Sequence, residues 1–305
     1  MVGPSPKRKT VKAVVEETEV SVRRACNAIG LTRSSYQYQG KANPFQERLL
    51  GRIEAFSKRY PRYGYRRITI LLQKEGWKVN KKRIRRLMGK LGLQVKRKAQ
   101  KRARLGFSTG TRQRAEYPRQ VWSWDIIQDQ MADGRILKCL TLLDEYTRES
   151  LKIRVDYYMT SGDVLREVES AFQEYGEPEY IRSDNGSEFI AKIIQDWLKE
   201  KQIATLYIPP GSPWENPYIE SFHGKFRDEC LNRELFLSLI EARQIIAEWR
   251  NEYNQERPHS SLGYLTPEEF RERCCNSSVA TLPASCNNPQ DLEYTNISTG
   301  TVFGG

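Results

Sequence analysis

The stretch QVWSWDIIQDQMADGRILKCLTLLD, at residues 120–144, decides the fold class of this 305-residue chain. From Gln120 onward apolar side chains recur at every second position, whereas upstream they follow the 3.6-residue period of an α-helix. Alternation of this kind predicts strands, at 121–130, 135–144 and 148–156. The turn Ala132-Asp133-Gly134 joins the first two, so the segment predicts an antiparallel hairpin followed by a third strand.

The sequence after these strands alternates helical and extended patterns. It predicts helices at 161–175 and 187–201, and strands at 180–183 and 205–208. A long helix follows from Pro217 through Cys230, and another covers 238–253. Strands connected by crossover helices pair in parallel. We therefore expect an α/β fold with a mixed five-stranded sheet and flanking helices.

The first 120 residues are helical in pattern and strongly basic. They contain 32 Lys and Arg against 7 Asp and Glu, whereas the rest of the chain contains 18 against 31. Segregated positive charge is typical of a module that binds a polyanion, most often nucleic acid. A merely soluble charged surface would account for the net charge but not for its segregation.

Two helical regions lie in this basic part. Residues 11–40 predict one or two short helices, with Gly30 as a stop and Thr32 as a new cap. Residues 43–98 predict a helix-turn-helix domain, whose last helix, KKRIRRLMGK, follows the cap residue Asn80. The apolar face of that helix consists of Ile84, Leu87, Met88 and Leu91.

The basic residues of the same helix are candidate DNA contacts. They are Lys81, Lys82, Arg83, Arg85, Arg86 and Lys90. The alternative is a solvated face that only increases solubility. Acidic partners at i+4 that would balance such a face are absent from the sequence, which favours DNA contact in a groove.

Composition argues against several other classes of protein. No run of about 18 apolar residues could span a membrane, and no apolar stretch follows the basic start, so we expect a soluble intracellular protein. The six cysteines form no CxxC pair, and only two histidines are present. We therefore expect free thiols and no zinc finger.

Three carboxylates stand out by their positions. Asp125 lies in the middle of the strand VWSWDII, where an unpaired buried charge would be costly, so a metal ion or a distant arginine must compensate it. Asp184 ends a strand at an Asn-Gly turn, although an ordinary Asx turn is the simpler interpretation of that motif alone. Glu220 lies on a helix with Asn216 and Arg227 on the same face, although a lone helical glutamate is usually solvated surface.

Together the three carboxylates predict a metal site. Oxygen ligands without Cys or His suit a hard ion, Mg²⁺ or Mn²⁺, rather than zinc. Two such ions can activate a water or a 3′-hydroxyl and stabilise the leaving oxygen of an in-line phosphoryl displacement. Asp125, Asp184 and Glu220 are therefore the candidate catalytic residues and metal ligands.

Several motifs resemble those of a known family. WSWD at 122–125, SDNGSEF at 183–189 and ENPYIESFHGKFRDE at 215–229 resemble the Asp-Asp-Glu signature of the retroviral-integrase superfamily, in the form found in orfB-type insertion-sequence transposases. The 35 residues between Asp184 and Glu220 match the family spacing, and Arg227 falls at its basic position. YGYRRITILLQKEGWKVNKKRIRRLMGKLGL at 63–93 and YNQERPHSSLGYLTPEEF at 253–270 extend the resemblance over about residues 45–272.

The resemblance implies a ribonuclease-H-like fold and metal-dependent DNA cleavage and joining. Asp125, Asp184 and Glu220 would hold two Mg²⁺ or Mn²⁺ ions, with Arg227, Lys225 and Asn216 near the DNA. It implies double-stranded DNA as partner, both the terminal inverted repeats of the element and the target, and a homo-oligomer as the working form. A partner protein from an upstream reading frame, and a location in the bacterial cytoplasm on the nucleoid, are further expectations.

These patterns predict five regions. They are a basic helical segment at 1–42, a helix-turn-helix domain at 43–98, a basic linker at 99–119, an integrase catalytic core with C-terminal helices at 120–273, and a disordered tail at 274–305. Two other functions share some of these features. One is a catalytically silent DNA-binding regulator or half-enzyme of a mobile element, and the other is a ribonuclease-H-type nuclease that cuts RNA in hybrids.

Overall fold

The computed structural model describes residues 3–38, 43–95, 114–183, 191–207 and 216–277. The chain divides into two compact units, residues 1–52 and 53–305. The helices of the described ranges are α1 (Pro4–Thr18), α2 (Val22–Ile29), α3 (Arg33–Gln37), α4 (Pro44–Arg59), α5 (Tyr65–Lys74), α6 (Lys81–Lys90), α7 (Ser161–Tyr175), α8 (Lys192–Glu200), α9 (Pro217–Phe226), α10 (Leu239–Gln255) and α11 (Pro267–Ser277). The strands are β1 (Val121–Gln130), β2 (Ile136–Asp144), β3 (Ser150–Asp156), β4 (Tyr180–Ser183) and β5 (Ala204–Tyr207). A π-helical turn, Arg227–Leu231, follows α9 directly.

The first unit has more helix than the sequence predicted. Its first helix begins at Pro4, ahead of the predicted start at residue 11, and three helices replace the expected one or two. The fixed φ of proline suits the first turn of a helix, which is why Pro4 is tolerated there. Gly30 ends α2 with φ +64°, and the Thr32 hydroxyl caps α3 by accepting from the Ser35 backbone N–H at 3.3 Å. Both of these local predictions are confirmed.

The helix-turn-helix pair, α5 and α6, belongs to the second unit. The Asn80 side chain caps α6 by accepting from the Arg83 backbone N–H at 2.8 Å. Ile84, Leu87 and Met88 are buried, as their spacing predicted. The apolar face of α6 therefore packs inward and leaves its basic residues outside.

The sheet has the strand order β3-β2-β1-β4-β5. Strands β1, β2 and β3 are antiparallel to one another, whereas β4 pairs in parallel with β1 and β5 in parallel with β4. This is the mixed five-stranded sheet of a ribonuclease-H-like fold, and the predicted fold class is confirmed.

Helices cover both faces of this sheet. Trp122 and Trp124 of β1 point to the face covered by α7 and α8, in a cluster that includes Val168 and Leu198. Ile127 points to the other face, beneath α9 and α10. The alternation predicted for β1 therefore fixes which side chains meet α9.

A buried ion network joins the helix-turn-helix to the end of the core. Glu229 of the π-helical turn accepts from Arg257 through Nε to Oε2 and Nη2 to Oε1, both at 2.6 Å. Arg67 of α5 donates to the same Oε1 at 3.1 Å. Arg62 and Asp228 form a second bidentate pair, at 3.0 and 2.6 Å. These contacts hold α5 against the segment that follows α9.

The remaining predictions concern the tail, the cysteines and the membrane. Helix α11 continues through Ser277, so the first residues of the predicted tail are helical. Residues 278–305 and most of the predicted linker, 99–113, lie outside the described ranges.

The cysteines of the described part, Cys26, Cys139, Cys230, Cys274 and Cys275, are all free thiols, as expected. None of the helices described combines the length and apolarity needed to cross a bilayer.

Candidate active site

Asp125 lies in β1 on the sheet face that α9 and α10 cover. Its side chain is 28% exposed, and its Oδ1 accepts a hydrogen bond from the Ile126 backbone N–H at 2.7 Å. Its neighbour in sequence, Trp124, belongs to the core on the opposite face. A half-buried carboxylate therefore faces α9 from the middle of the sheet, where the sequence placed it.

Two side chains that the sequence analysis did not single out meet Asp125. Thr141 is its partner in β2, and the Thr141 hydroxyl donates to the Asp125 carbonyl oxygen at 3.0 Å. His223 of α9 contacts both residues, with Nε2 at 2.8 Å from Thr141 Oγ1 and Nδ1 at 3.5 Å from Asp125 Oδ2. Burial, followed by the charge of Arg227, lowers the pKa of His223 to about 4, so its imidazole is neutral at pH 7.

The sequence held signals for both residues. His223 follows Glu220 by three positions, so the two share a face of α9. Thr141 lies as far after the hairpin turn at Asp133 as Asp125 lies before it, and antiparallel pairing about that turn brings the two opposite. A lone histidine and a lone threonine carry too little information to be selected without this geometry.

Glu220 is on the first turn of α9. Pro217 begins the helix, and the Glu220 backbone N–H donates to the Asn216 carbonyl at 3.2 Å. Ile219 and Phe222 are buried against the sheet, while the Glu220 side chain is exposed. Asn216 is buried, and within the described ranges its Oδ1 has no hydrogen-bond partner.

Asp184, the second predicted carboxylate, lies outside the described residues. Ser183, directly before it in the chain, ends β4, which runs parallel to β1. Across the described ranges, no three His, Cys, Asp or Glu side chains converge as a metal-binding group. The structure thus brings Asp125 together with His223 and does not group Glu220 with them.

The other predicted DNA contacts divide by exposure. Arg227 is exposed and donates through Nη2 to the Gln128 carbonyl at 3.0 Å. Lys225 is half-buried, and its Nζ donates to the Ser221 carbonyl at 3.0 Å and to the Ser221 hydroxyl at 2.6 Å. Burial, and then the charge of Arg257, lowers the pKa of Lys225 to about 8.

Helix α6 presents a continuous basic surface. Five of its six predicted DNA contacts are exposed, and Arg83 is half-buried: the exposed ones are Lys81, Lys82, Arg85, Arg86 and Lys90. Arg85 also lies over the ring of Tyr65, 5.8 Å from its centroid. The surface has the charge and the helical form that a phosphate backbone or major groove requires.

Family models match nearly all of the described second unit. Two models of the integrase core domain match residues 115–213 and 201–267. A model of an HTH-like domain matches residues 44–101. The matches cover the strands of the sheet, α9 and the helix-turn-helix pair.

Relatives of similar length come from bacterial insertion elements. The 39.2 kDa protein of insertion element IS476 from Xanthomonas euvesicatoria is 40% identical over 288 residues, 92% of this chain and 82% of the relative. The 31.7 kDa protein of IS407 from Burkholderia multivorans is 39% identical over 277 residues, 90% of this chain and 98% of the relative. The transposase of IS904 from Lactococcus lactis is 27% identical, over 74% of this chain and 94% of its own.

Among solved structures, the HTLV-2 integrase catalytic core domain in complex with magnesium is similar to this chain with a TM-score of 0.42 and 16% identity. It matches over 52% of this chain and 99% of its own length. The assignment rests on the family models and on the two relatives at 40% and 39% identity. The chain belongs to the family of orfB-type insertion-sequence transposases that carry an integrase catalytic core.

Proposed function

We propose that this chain is a polynucleotidyl transferase that cleaves DNA at the ends of an insertion sequence and joins those ends to target DNA, with divalent metal ions as cofactors. The observation that carries the proposal is Asp125, a half-buried carboxylate in the middle of β1 that faces α9, the helix bearing Glu220. Membership of the transposase family supplies the reaction type.

The donor atoms near Asp125 fit a divalent cation. Asp125 Oδ2 and His223 Nδ1 lie 3.5 Å apart. The imidazole is neutral at pH 7 and a carboxylate has no positive charge, so neither group repels a cation. Ser183, which directly precedes Asp184 in the chain, ends β4, the strand beside β1. Asp125, Asp184 and Glu220 are the proposed ligands of Mg²⁺ or Mn²⁺.

The bound ions would lower the pKa of the attacking hydroxyl and neutralise charge on the phosphate and leaving oxygen. In joining, the 3′-hydroxyl oxygen forms a bond to a target phosphorus while the bond from that phosphorus to its own 3′ oxygen breaks. One phosphodiester replaces another, so no external energy source is required. Arg227, exposed one turn after His223, is proposed to contact DNA phosphate beside this centre.

The helix-turn-helix would position the DNA. The exposed basic residues of α6 are proposed to bind the phosphates of the terminal inverted repeat. The ion network around Glu229 would fix the position of α5 and α6 relative to α9. We also propose that a homo-oligomer brings the two ends of the element together and that a protein from an upstream reading frame is a partner. Light scattering of the chain with end DNA would measure how many copies of the chain bind each pair of ends.

The test is strand joining in vitro. The purified full chain is incubated with a labelled duplex that ends in the DNA flanking its gene, a plasmid target and Mg²⁺ or Mn²⁺. Asp125→Asn, Asp184→Asn and Glu220→Gln should each abolish joined product. Glu234→Gln, which removes an exposed carboxylate after α9, should leave it intact.

Two outcomes would contradict the proposal. End-specific binding without joining, under conditions in which wild-type chain is folded, would favour the silent regulator or half-enzyme. Cleavage of RNA in a hybrid without joining would favour the ribonuclease-H-type nuclease.

A further inference from the structure

The two ring nitrogens of His223 have different neighbours. Nε2 lies 2.8 Å from Thr141 Oγ1, an ordinary hydrogen-bond distance. Nδ1 lies 3.5 Å from Asp125 Oδ2, which is long for a hydrogen bond. The imidazole side chain is only 14% exposed, so its orientation is fixed by packing between α9 and the sheet.

The Thr141 hydroxyl contacts both the His223 ring and the Asp125 backbone. A hydroxyl has one proton, and Thr141 Oγ1 donates it to the Asp125 carbonyl oxygen at 3.0 Å. While it donates that proton, Oγ1 can only accept at its contact with Nε2, an arrangement that requires a proton on Nε2. Nδ1 lies on the side of the ring that faces the Asp125 carboxylate, 3.5 Å from Oδ2.

A divalent cation can be bound jointly by a carboxylate oxygen and an imidazole nitrogen that lie this close together. Donor atoms on one Mg²⁺ or Mn²⁺ stand about 3 Å apart at metal-ligand distances of about 2.1 Å, so 3.5 Å is within a small adjustment of shared coordination. His223 also follows Glu220 by one helical turn, on the same face of α9. Nδ1 therefore lies beside the carboxylate at which the proposed function requires an ion.

We propose that His223, through Nδ1, is a nitrogen ligand of the divalent ion held by Asp125, and that this ligand makes the site prefer Mn²⁺ to Mg²⁺. The inference rests on the proposed metal-dependent function. Imidazole binds transition-metal ions better than it binds Mg²⁺, which favours oxygen donors and keeps its water ligands. Thr141 acts as the positioning residue, because its hydrogen bond selects the tautomer that leaves Nδ1 unprotonated.

The first experiment detects the nitrogen directly, without measuring activity. Electron spin-echo envelope modulation of Mn²⁺ bound to the full chain should show coupling to a directly bound ¹⁴N. Labelling with [¹⁵N]histidine should replace that signal by a ¹⁵N signal, which excludes backbone and lysine nitrogen. The chain has only two histidines, so His259→Gln identifies the source: the coupling should survive in this variant.

The second experiment compares two substitutions of His223, one that reproduces the Nε2 hydrogen bond and one that places an oxygen near the position of Nδ1. His223→Gln can still donate a hydrogen bond to Thr141 but has no metal-binding atom at the position of Nδ1. Mn²⁺ affinity should therefore fall about 10-fold or more, with a smaller change in Mg²⁺ affinity. His223→Asn offers an oxygen near the Nδ1 position, and should lose the Mn²⁺ preference while retaining more Mg²⁺ binding. Nitrogen NMR of the metal-free wild type should show the Nε2–H tautomer.

The outcomes separate this inference from the proposed function. Mn²⁺ binding that Asp125→Asn abolishes, without histidine coupling in wild type, would overturn the role of His223 and leave the proposed metal site standing. An Nδ1–H tautomer, or unchanged Mn²⁺ affinity in folded His223→Gln, would overturn it as well. Absence of any Mn²⁺ binding that depends on Asp125 would overturn both.

Discussion

Glu229 is the residue whose replacement should destabilise the second unit most clearly. It is 8% exposed and accepts three hydrogen bonds, two from Arg257 at 2.6 Å and one from Arg67 at 3.1 Å. Arg257 is 1% exposed, so its charge has little water to compensate it. Glu229→Gln keeps the shape of the side chain but turns one acceptor into a donor that faces Arg257.

The size of the effect follows from this geometry. Breaking a buried pair by removing one partner costs about 3 to 5 kcal/mol, because the other charge remains buried. For a unit of this size, each kcal/mol lowers Tm by roughly 2 to 4 °C. We therefore expect the unfolding transition of the second unit to fall by about 10 °C, measured by circular dichroism at 222 nm.

A control and a rescue make the test specific. Glu177→Gln breaks an exposed pair between Glu177 and Lys201, whose side chains are 47% and 40% exposed respectively, and should leave Tm almost unchanged. Glu229→Leu combined with Arg257→Met removes both buried charges and should recover most of the stability. Arg67 is 26% exposed and can turn its guanidinium to water. A cost below about 1 kcal/mol for Glu229→Gln would refute the reasoning.

Three further predictions concern DNA binding, pH and thiols. Glutamine at the four central basic positions of α6, Lys82, Arg83, Arg85 and Arg86, should flatten the salt dependence of DNA affinity by roughly 0.9 for each phosphate that the helix no longer binds. Lys199→Gln on α8 should leave that slope as it is, and an unchanged slope in the α6 variant would exclude this helix as the DNA reader. Burial, and then the charge of Glu256, raises the pKa of Glu252 to about 7. The stability of the wild type that depends on protonated Glu252 is thus present below about pH 4.5 and lost as pH rises through 7. Glu252→Gln should gain stability relative to wild type between pH 5 and pH 8 in urea unfolding, and a difference independent of pH would contradict this. Burial also raises the pKa of the Cys230 thiol to about 12, so mass spectrometry after iodoacetamide treatment at pH 8 should find exposed Cys275 modified well before Cys230.

Predictions from sequence succeeded where a pattern is local. Strand β1 and helix α7 have the predicted bounds, because the period of apolar residues fixes which side chains point to one face. The caps at Thr32 and Asn80 are confirmed for the same reason, since a cap involves residues only three positions apart. The first helix was missed at its start because residues 4–10 carry no apolar period and no capping side chain.

The contacts around the candidate site were visible in the sequence only in part. Asp125 was selected because a carboxylate interrupts a buried strand, which is visible in one short segment. His223 lies 82 residues from Thr141 in sequence, and nothing in either segment refers to the other. The sequence predicted oxygen ligands alone, and the histidine ligand that we propose depends on this distant contact.

The sequence by itself determined the α/β class and the basic helix-turn-helix, and it predicted three carboxylates as the candidate site, since period, charge and spacing are properties of neighbouring residues. Tertiary structure alone decided that α9 places His223 against Asp125 and Thr141, and that Arg67 meets Glu229 across 162 residues of chain. Such contacts depend on how helices pack on the sheet, which is set by the whole set of buried surfaces at once. The physical reason is that a local pattern fixes the direction of a side chain, whereas only the packed fold fixes what lies in that direction.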